Sequence, residues 1–233
     1  MMSPFAVRSD QQEIMDDLTC SGQDVRQALH ELEVINAWLG GNAVTLEGVA
    51  RLVNHIPRET EVTVADLGCG GGDIAARLCR LLKSKGLRPE VSGIDANPNI
   101  IRIASEKHPD IHFDAINIFS DDFTRLRFDV ITATLFFHHF DSRTLAVFIR
   151  QLLGQTRVGI VINDIHRHWF SFHSIRLLTR MFSRSLMVRH DAPVSVLRAF
   201  SRRDLVDILA EAGVRRYTIR WRWAFRWLVI IYV

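Results

Sequence analysis

The 233-residue chain has few cysteines and no long apolar segment. Its three cysteines, Cys20, Cys69 and Cys79, form neither an even disulfide framework nor a metal-ligand spacing. The longest late apolar run, Trp227–Val233, is far shorter than the roughly 20 residues of a membrane-spanning helix. The segment Met1–Ile14 lacks the basic and apolar regions of a secretory signal. These absences predict a protein without disulfides or a membrane span, and they favour cytoplasmic residence.

The charge of the chain is divided unevenly along its length. A hydrophobic fraction of 48% with 24% charged residues excludes wholesale disorder, and the length suits one domain with an appended subdomain. The net charge of +3 conceals a contrast between two parts of the sequence. Residues 1–165 contain 22 acidic and 16 basic residues, whereas residues 166–233 contain 4 acidic and 13 basic residues. The last third is therefore strongly basic, and any function must account for it.

Short apolar runs alternate with amphipathic segments through most of the chain. Amphipathic helices are predicted over 21–39 and 46–54, ahead of these runs. The predicted strands are 62–67, 90–95, 111–116, 128–134 and 158–163, with two more at 214–220 and 224–233. Near-continuous apolar strands that alternate with helices are typical of a parallel sheet covered on both faces. The sequence therefore predicts an α/β, doubly wound, Rossmann-like sheet of seven strands, five or six of them parallel, with an antiparallel strand at the edge.

Four regions are expected along the chain. They are an N-terminal helical cap or lid over 1–57, a core over 58–165, a helical insertion over 166–200, and a last helix with edge strands over 201–233. In the last region, cations and aromatic side chains alternate from Arg220 to Trp227. Because side chains along a strand have a period of two, a single strand would place the four aromatics on one buried face. Exposed rings that stack on nucleic-acid bases are the alternative interpretation.

A glycine-rich turn follows the first predicted strand and opens a helix. Glycines let the backbone approach a ligand, and a helix start offers unpaired N–H groups to a carboxylate or phosphate. The dinucleotide fingerprint requires a glycine at the sixth position from Gly68, where this sequence has Asp73, a carboxylate that would repel phosphate. The pattern Asp66-x-Gly68-x-Gly70-x-Gly72 instead resembles motif I of the class I S-adenosylmethionine-dependent methyltransferases.

The resemblance covers about residues 60–165. Asp95, at the tip of the second predicted strand, can accept hydrogen bonds from both hydroxyls of a ribose, although NAD enzymes use such a residue as well. Asn117 stands where the family commonly has an Asp that meets the adenine amino group. The resemblance implies that the core binds S-adenosylmethionine and releases S-adenosylhomocysteine. The implied cofactor contacts are Asp66, Gly68, Cys69, Gly70, Asp95, Ala96, Asn97, Asn117, Ile118 and Thr134.

Two further segments narrow the resemblance. The histidine pair at 138–139 and the stretch Ser195–Phe200 are similar to small-molecule methyltransferases of ubiquinone and menaquinone biosynthesis and of bacterial polyketide pathways. The implied reaction is in-line methyl transfer, and a phenolic acceptor oxygen would need a base to take its proton. His138, His139 and His166 follow predicted strands and are the candidate bases. No metal site is expected at the histidine pair, because adjacent side chains on an α-helix point about 100° apart and would not converge on one ion.

The basic insertion mixes aromatic residues with arginines, and such insertions commonly form part of the acceptor pocket in the resembled family. The residues expected to contact the acceptor are Trp38, Phe137, Arg167 and Phe170. The expected acceptor is a small aromatic or polyketide-like compound, either free or as an acyl group on an acidic carrier protein. A solvated arginine face and a surface lying on a membrane are alternatives for the insertion.

Alternative functions are an RNA-binding methyltransferase or RNA-binding module and a C-methyltransferase of quinone-type acceptors. Nucleic acid is not the preferred partner, and a homodimer is left open.

Overall fold

The computed structural model describes residues 4–233, which fold around one seven-stranded sheet. The strands are β1 (Glu61–Leu67), β2 (Arg88–Asp95), β3 (His112–Ala115), β4 (Phe128–Thr134), β5 (Thr156–Ile165), β6 (Tyr217–Arg222) and β7 (Arg226–Tyr232). Their order in the sheet is β3-β2-β1-β4-β5-β7-β6. Strands β1 to β5 pair in parallel, and β7 is antiparallel to both of its neighbours. The predicted doubly wound α/β fold is confirmed, but the antiparallel strand lies inside the sheet, one position from its edge.

Helices cover both faces of the sheet. Among the described residues they are α1 (Gly22–Trp38), α2 (Gly41–Leu52), α3 (Asp73–Ser84), α4 (Pro98–Lys107), α5 (Asp121–Thr124), α6 (Ser142–Gln155), α7 (Trp169–Phe182), α8 (Leu186–Arg198) and α9 (Arg202–Glu211). Helices α2 and α3 pack on one face, and α6 and α9 pack on the other. The central strand β4 is therefore buried along almost its whole length, as its apolar sequence requires. None of the helices described over residues 4–233 has the length and apolar character needed to cross a bilayer.

The two helices of the predicted cap pack differently from each other. Helix α2 lies directly on the sheet, and Gly48 permits this approach because a Cβ there would lie 2.5 Å from the Val161 side chain. The amide of Asn163 donates to the Gly41 carbonyl and to the Thr45 hydroxyl, which fixes the start of α2 on β5. Helix α1 instead contacts α4 and α8. We therefore propose that the cap ends between α1 and α2, rather than at residue 57.

The C-terminal hairpin does not bury its four aromatics together, contrary to the sequence prediction of one buried face. The chain turns at 223–225, so the alternation of cations and aromatics runs through two strands and not one. Trp221 and Trp227 are partners across the hairpin, yet Trp227 is buried whereas Trp221 and Trp223 are exposed. Arg226 is buried beside them and donates to Asn36 of α1. The turn contains no glycine or proline, and it lies two residues later than the break at 221–223 between the two predicted strands.

Candidate active site

A cavity of about 1010 Å³ opens at the carboxyl ends of β1, β2, β4 and β5. In a doubly wound fold this is the edge of the sheet where ligands bind. All ten residues that the sequence assigned to the cofactor line this one cavity. Helix α1, helices α7 and α8, and the β6–β7 turn form its outer walls. The structure thus brings the glycine-rich turn and the predicted acceptor insertion to the same space.

The glycine-rich turn is held in a conformation that a side chain would disturb. Gly68 has a φ of +63°, and a Cβ on it would lie 2.2 Å from the Phe136 ring. The N–H groups of Gly68 and Cys69 both donate to the Ile94 carbonyl, which ties the turn to β2. Gly70 is also in the left-handed region, with a φ of +51°. This close cradle of backbone and aromatic ring fits a ligand that packs against the turn.

Asp95 connects the turn to the tip of β2. One carboxylate oxygen accepts from the N–H of Asn97 at 3.0 Å, and the other accepts from the N–H of Gly70 at 3.3 Å. Burial raises the pKa of Asp95, while these two N–H groups favour its ionised form. Each oxygen retains a lone pair, so the carboxylate can still accept two ligand hydroxyls. Asn117 is also engaged locally, because its side-chain oxygen accepts from the N–H of Phe119.

Asp66 lies at the end of β1 and is fully buried. Burial raises its pKa to about 7, although the hydroxyl of Thr132 donates to it at 2.8 Å and favours the charged form. A carboxyl group that is half protonated near neutral pH can both donate and accept a hydrogen bond. Asp66 therefore differs from Asp95, whose backbone N–H partners support a carboxylate.

Two stacked histidines stand on the 3₁₀ turn Phe137–His139 that follows β4. The Nδ1 atom of His138 lies 2.7 Å from Asp164, and that of His139 lies 2.5 Å from Asp16. The ring centroids are 4.4 Å apart. The expectation that adjacent histidines diverge is wrong here, because it assumed an α-helix and the residues lie on a tighter turn. Each histidine thus has its Nδ1 atom fixed by a carboxylate, and Nε2 of His138 also faces a carboxylate, that of Glu13.

The two histidines differ in their electrostatic surroundings. His138 is buried, which disfavours its charged form, but Asp164 and Glu13 together raise its pKa to about 9. His138 is therefore an imidazolium at neutral pH. The His139 side chain is 20% exposed, and its partner Asp16 is shared with Arg198, whose Nη1 lies 2.5 Å away. Burial opposes the ionisation of Asp16, but hydrogen bonds from His139 and Arg198 hold its pKa well below the usual range.

Residues 5–20, here called the N-terminal strap, supply the carboxylates that the sequence did not predict. Arg8 anchors the strap by donating to the carbonyls of His138, Phe140 and Arg198. Asp191 accepts from the N–H groups at positions 14 and 15 and so holds the next part of the strap. No periodicity or motif marks the strap in the sequence, which is why its role was missed.

Glu13 brings a third functional group to the histidines. Glu13, His138 and His139 offer atoms that lie within 4.8 Å of one another and could ligate a metal ion. The Oε1 atom of Glu13 is buried without a hydrogen-bond partner, 3.5 Å from His138 Nε2 and 3.7 Å from Arg198 Nη1. These two cations already compensate its charge. We therefore assign the cluster to charge and proton chemistry rather than to metal binding.

Two predicted residues after β5 lie outside the cavity. The His166 ring packs 4.8 Å from Trp227 and stacks on Phe225, beneath the hairpin turn, and burial lowers its pKa. Arg167 is buried, where it donates to the Ala199 carbonyl and pairs with Asp204. Neither side chain lines the cavity. Both hold the insertion against the core instead of facing an acceptor.

Of the aromatic residues expected to contact the acceptor, one lines the cavity and two lie outside it. Phe170 lines the cavity, as the sequence suggested. Phe137 points into the core against Phe148, and its neighbour Phe136 faces the cavity in its place. Trp38 is the last residue of α1 and is 87% exposed, outside the cavity. A run of adjacent aromatics did not reveal which ring faces the core.

Comparisons with known proteins agree with this geometry. Residues 64–159 match the family model of a methyltransferase domain. The plantazolicin methyltransferase BpumL, solved with S-adenosylhomocysteine, is 18% identical with a TM-score of 0.63, over 85% of this chain and 80% of that chain. Human N-acetylserotonin methyltransferase is 15% identical with a TM-score of 0.59, over 89% and 56% of the two chains. The CurJ carbon methyltransferase is 13% identical with a TM-score of 0.55, over 81% and 53%. Comparison with curated proteins finds no match. At these identities the solved structures establish a common fold.

Proposed function

Because residues 64–159 match the family model of a methyltransferase domain, we propose that this chain is a class I, S-adenosylmethionine-dependent enzyme that methylates an oxygen of a small aromatic or polyketide-like acceptor. The family model supports the predicted enzyme class, and the fold shared with BpumL, which was solved with S-adenosylhomocysteine, supports the predicted methyl donor. The observation that carries the proposal is the carboxylate-anchored histidine pair, which lines the same cavity as the cofactor residues.

The residues at the strand ends fit the methyl donor. S-adenosylmethionine supplies an electrophilic methyl group on its sulfonium centre. We propose that Asp95 accepts hydrogen bonds from the ribose hydroxyls and that Asn117 and Ile118 border the adenine. The absence of a Cβ at Gly68 lets the Phe136 ring pack directly on the turn that borders the cavity. These side chains do no proton chemistry, so their contribution is orientation, which is worth roughly 7–11 kcal/mol in well-aligned bimolecular reactions.

His139 is the proposed base. Its Nδ1–H donates to Asp16 in the tautomer that leaves Nε2 with a lone pair, so Nε2 can accept the acceptor's proton. His138 cannot serve at neutral pH, because Asp164 and Glu13 keep it protonated. We propose that His138 orients the turn, and its fixed charge favours a developing phenolate nearby. A phenol has an ordinary pKa near 10, so a positioned base is needed as the oxygen attacks.

The outer cavity supports an acceptor with an aromatic body. Phe136, Phe140 and Phe170 line it together with aliphatic side chains from α1 and α7. Of the basic residues in the last third, Arg167, Arg198 and Arg226 are buried in internal contacts and are not available to an RNA ligand. Pockets that hold small molecules are predominantly apolar with a few polar groups, and this cavity follows that rule.

The test is a turnover assay with S-adenosylmethionine and a panel of phenols and hydroxylated polyketides. Mass spectrometry locates the new methyl group on oxygen or carbon, and this separates O-methylation from methylation of a quinone-type carbon. We expect His139→Ala to lower kcat about 10²–10⁴-fold, the usual contribution of a general base, with S-adenosylhomocysteine affinity unchanged. His112→Ala is the matched control, since His112 is an exposed histidine on β3. Wild-type turnover by His139→Ala from pH 6 to 9 would remove this residue from the mechanism.

A further inference from the structure

Helix α7 exposes an apolar face that nothing in the described chain covers. Six large side chains, here called the apolar face, are at least half exposed. Five lie on α7, and the sixth, from the β6–β7 turn, is Trp223; those of α7 are Trp169, Phe170, Leu177, Met181 and Phe182. The chain has five tryptophans, and Trp227 is the buried one, so tryptophan is placed unusually often at this protein's surface. Tryptophan at an apolar surface is typical of segments that lie in a membrane interface.

The apolar face is continuous with the hairpin at the mouth of the cavity. The Trp169 and Phe170 rings are 5.6 Å apart, and Phe170 packs on Phe225 of the β6–β7 turn at 5.8 Å. Phe225 in turn contacts Trp221 at 5.9 Å. Phe170 and Trp223 also line the cavity, so the same side chains border its mouth and the outer surface. The aromatic surface is therefore continuous with the lining of the cavity and is not a set of isolated exposed residues.

Unpaired cations flank this face. Arg176, Arg180 and Arg184 are exposed, and within residues 4–233 their side chains make no ion pair. Asp191 is the sole carboxylate of 166–200, and it is buried against the N-terminal strap. Helix α7 thus presents an apolar stripe beside arginines, the composition of an interfacial amphipathic helix.

We propose that this surface docks on an anionic lipid bilayer, with the apolar face inserted into the interface and the three arginines beside the headgroups. A second copy of the chain is the weaker occupant, because a symmetric pair would bring both sets of arginines together. Docking on the bilayer does not depend on the proposed function. The benefit of docking rests on the proposed function: because side chains of this surface also line the cavity, an acceptor dissolved in the bilayer would reach His139 without crossing water.

The test is co-sedimentation of the full chain with vesicles, without cofactor or acceptor. Vesicles of phosphatidylcholine alone are compared with vesicles that also contain phosphatidylglycerol, each at low and high salt. We expect binding to the anionic vesicles, weakened by salt. Trp169→Ser/Met181→Ser should bind at least tenfold more weakly. Each of Arg176→Gln and Arg180→Gln should weaken binding about fivefold at low salt.

A matched control and a second measurement make the result decisive. Val147→Ser removes an equally exposed apolar side chain from α6 and should bind as the wild type does. Light scattering without lipid reports whether the wild type and the serine variant have the same mass. Absence of binding to anionic vesicles overturns the proposal. So does a wild-type dimer that the serine variant loses, which would assign the face to a second copy. The serine variant could also keep its vesicle binding while the glutamine variants lose theirs. This result would overturn insertion of the apolar face, because the vesicle would then be bound by charge alone.

Discussion

At the scale of single residues, Asp95 is the side chain on which cofactor affinity should depend most. Hydrogen bonds to a charged group contribute about 1.5–3 kcal/mol each, so Asp95→Ala should weaken S-adenosylhomocysteine binding by at least tenfold. Isothermal calorimetry measures this affinity directly. Asp114→Ala is the control, because Asp114 lies on the adjacent strand β3 and pairs with the exposed His112. Unchanged affinity in Asp95→Ala would remove the ribose assignment.

Asp66 should make the stability of the unliganded protein dependent on pH. Burial raises its folded pKa to about 7, so the folded state binds more protons than the unfolded chain between about pH 4 and 7. Stability is therefore lost as the pH rises through this window. Asp66→Asn stays neutral and keeps an acceptor for Thr132, so it should gain on the order of 2–4 kcal/mol over the wild type at pH 8 and little at pH 4.

Urea unfolding at the two pH values checks this prediction, and Asp164→Asn supplies a control of opposite sign. Although burial opposes its ionisation, the charge of His138 holds the pKa of Asp164 low, so its neutral variant should be destabilised at pH 8. An equal gain for Asp66→Asn at both pH values would show that ionisation of this residue is not the cause.

At the scale of elements, the close contact between α2 and the sheet can be tested with two glycines. A Cβ at Gly48 would lie 2.5 Å from Val161 and 3.0 Å from Leu228, so Gly48→Ala should cost about 1–3 kcal/mol. Gly154 of α6 has open space around the same position, so Gly154→Ala should be neutral or stabilising by up to about 1 kcal/mol. Thermal unfolding compares the two variants. If both changed stability alike, helix propensity and not packing would govern α2.

The elements show where sequence reasoning reached its limit. Apolar periodicity predicted α1 and α2 as helices, but periodicity gives no information about the surface that a helix covers. The N-terminal strap has neither period nor motif, so Glu13 and Asp16 could not be connected to the histidines. The break between the last two strands was predicted two residues too early, because the turn residues lack the glycine, proline or asparagine that usually mark a reversal.

At the scale of the whole molecule, the cofactor should stabilise the entire fold. A ligand at 100 times its Kd adds about 2.7 kcal/mol, which corresponds to a rise in Tm of roughly 5–11 °C for a chain of this size. S-adenosylhomocysteine should produce this rise in the wild type and a much smaller one in Asp95→Ala. Differential scanning calorimetry measures both. A wild type with no rise at saturating ligand would contradict the assignment of the cavity to the cofactor.

The meeting of the glycine-rich turn and the strand tips at one cavity was largely predictable from sequence, and the contacts of the proposed acceptor side were not. Asp66, Gly68 and Asp95 lie in short segments whose backbone geometry is local, so their spacing carries the information. The acceptor side joins residues that are far apart in the chain, such as Asp16 with Arg198 and Arg226 with Asn36. These pairs form only through tertiary packing, and no local pattern encodes them.

The position of β7 between β5 and β6 has a consequence for the order in which the protein folds. Strand β6 precedes β7 in the chain but can join the sheet only through it. Helices α7 to α9 separate β5 from its partner, so the edge of β5 stays unpaired until this long loop closes. Contacts between residues far apart in the chain form slowly, and until they form the unpaired apolar edge of β5 can pair with other chains and aggregate. Docking of the hairpin is therefore the expected rate-limiting event of folding, and the population at risk of misassembly is the intermediate that still lacks it.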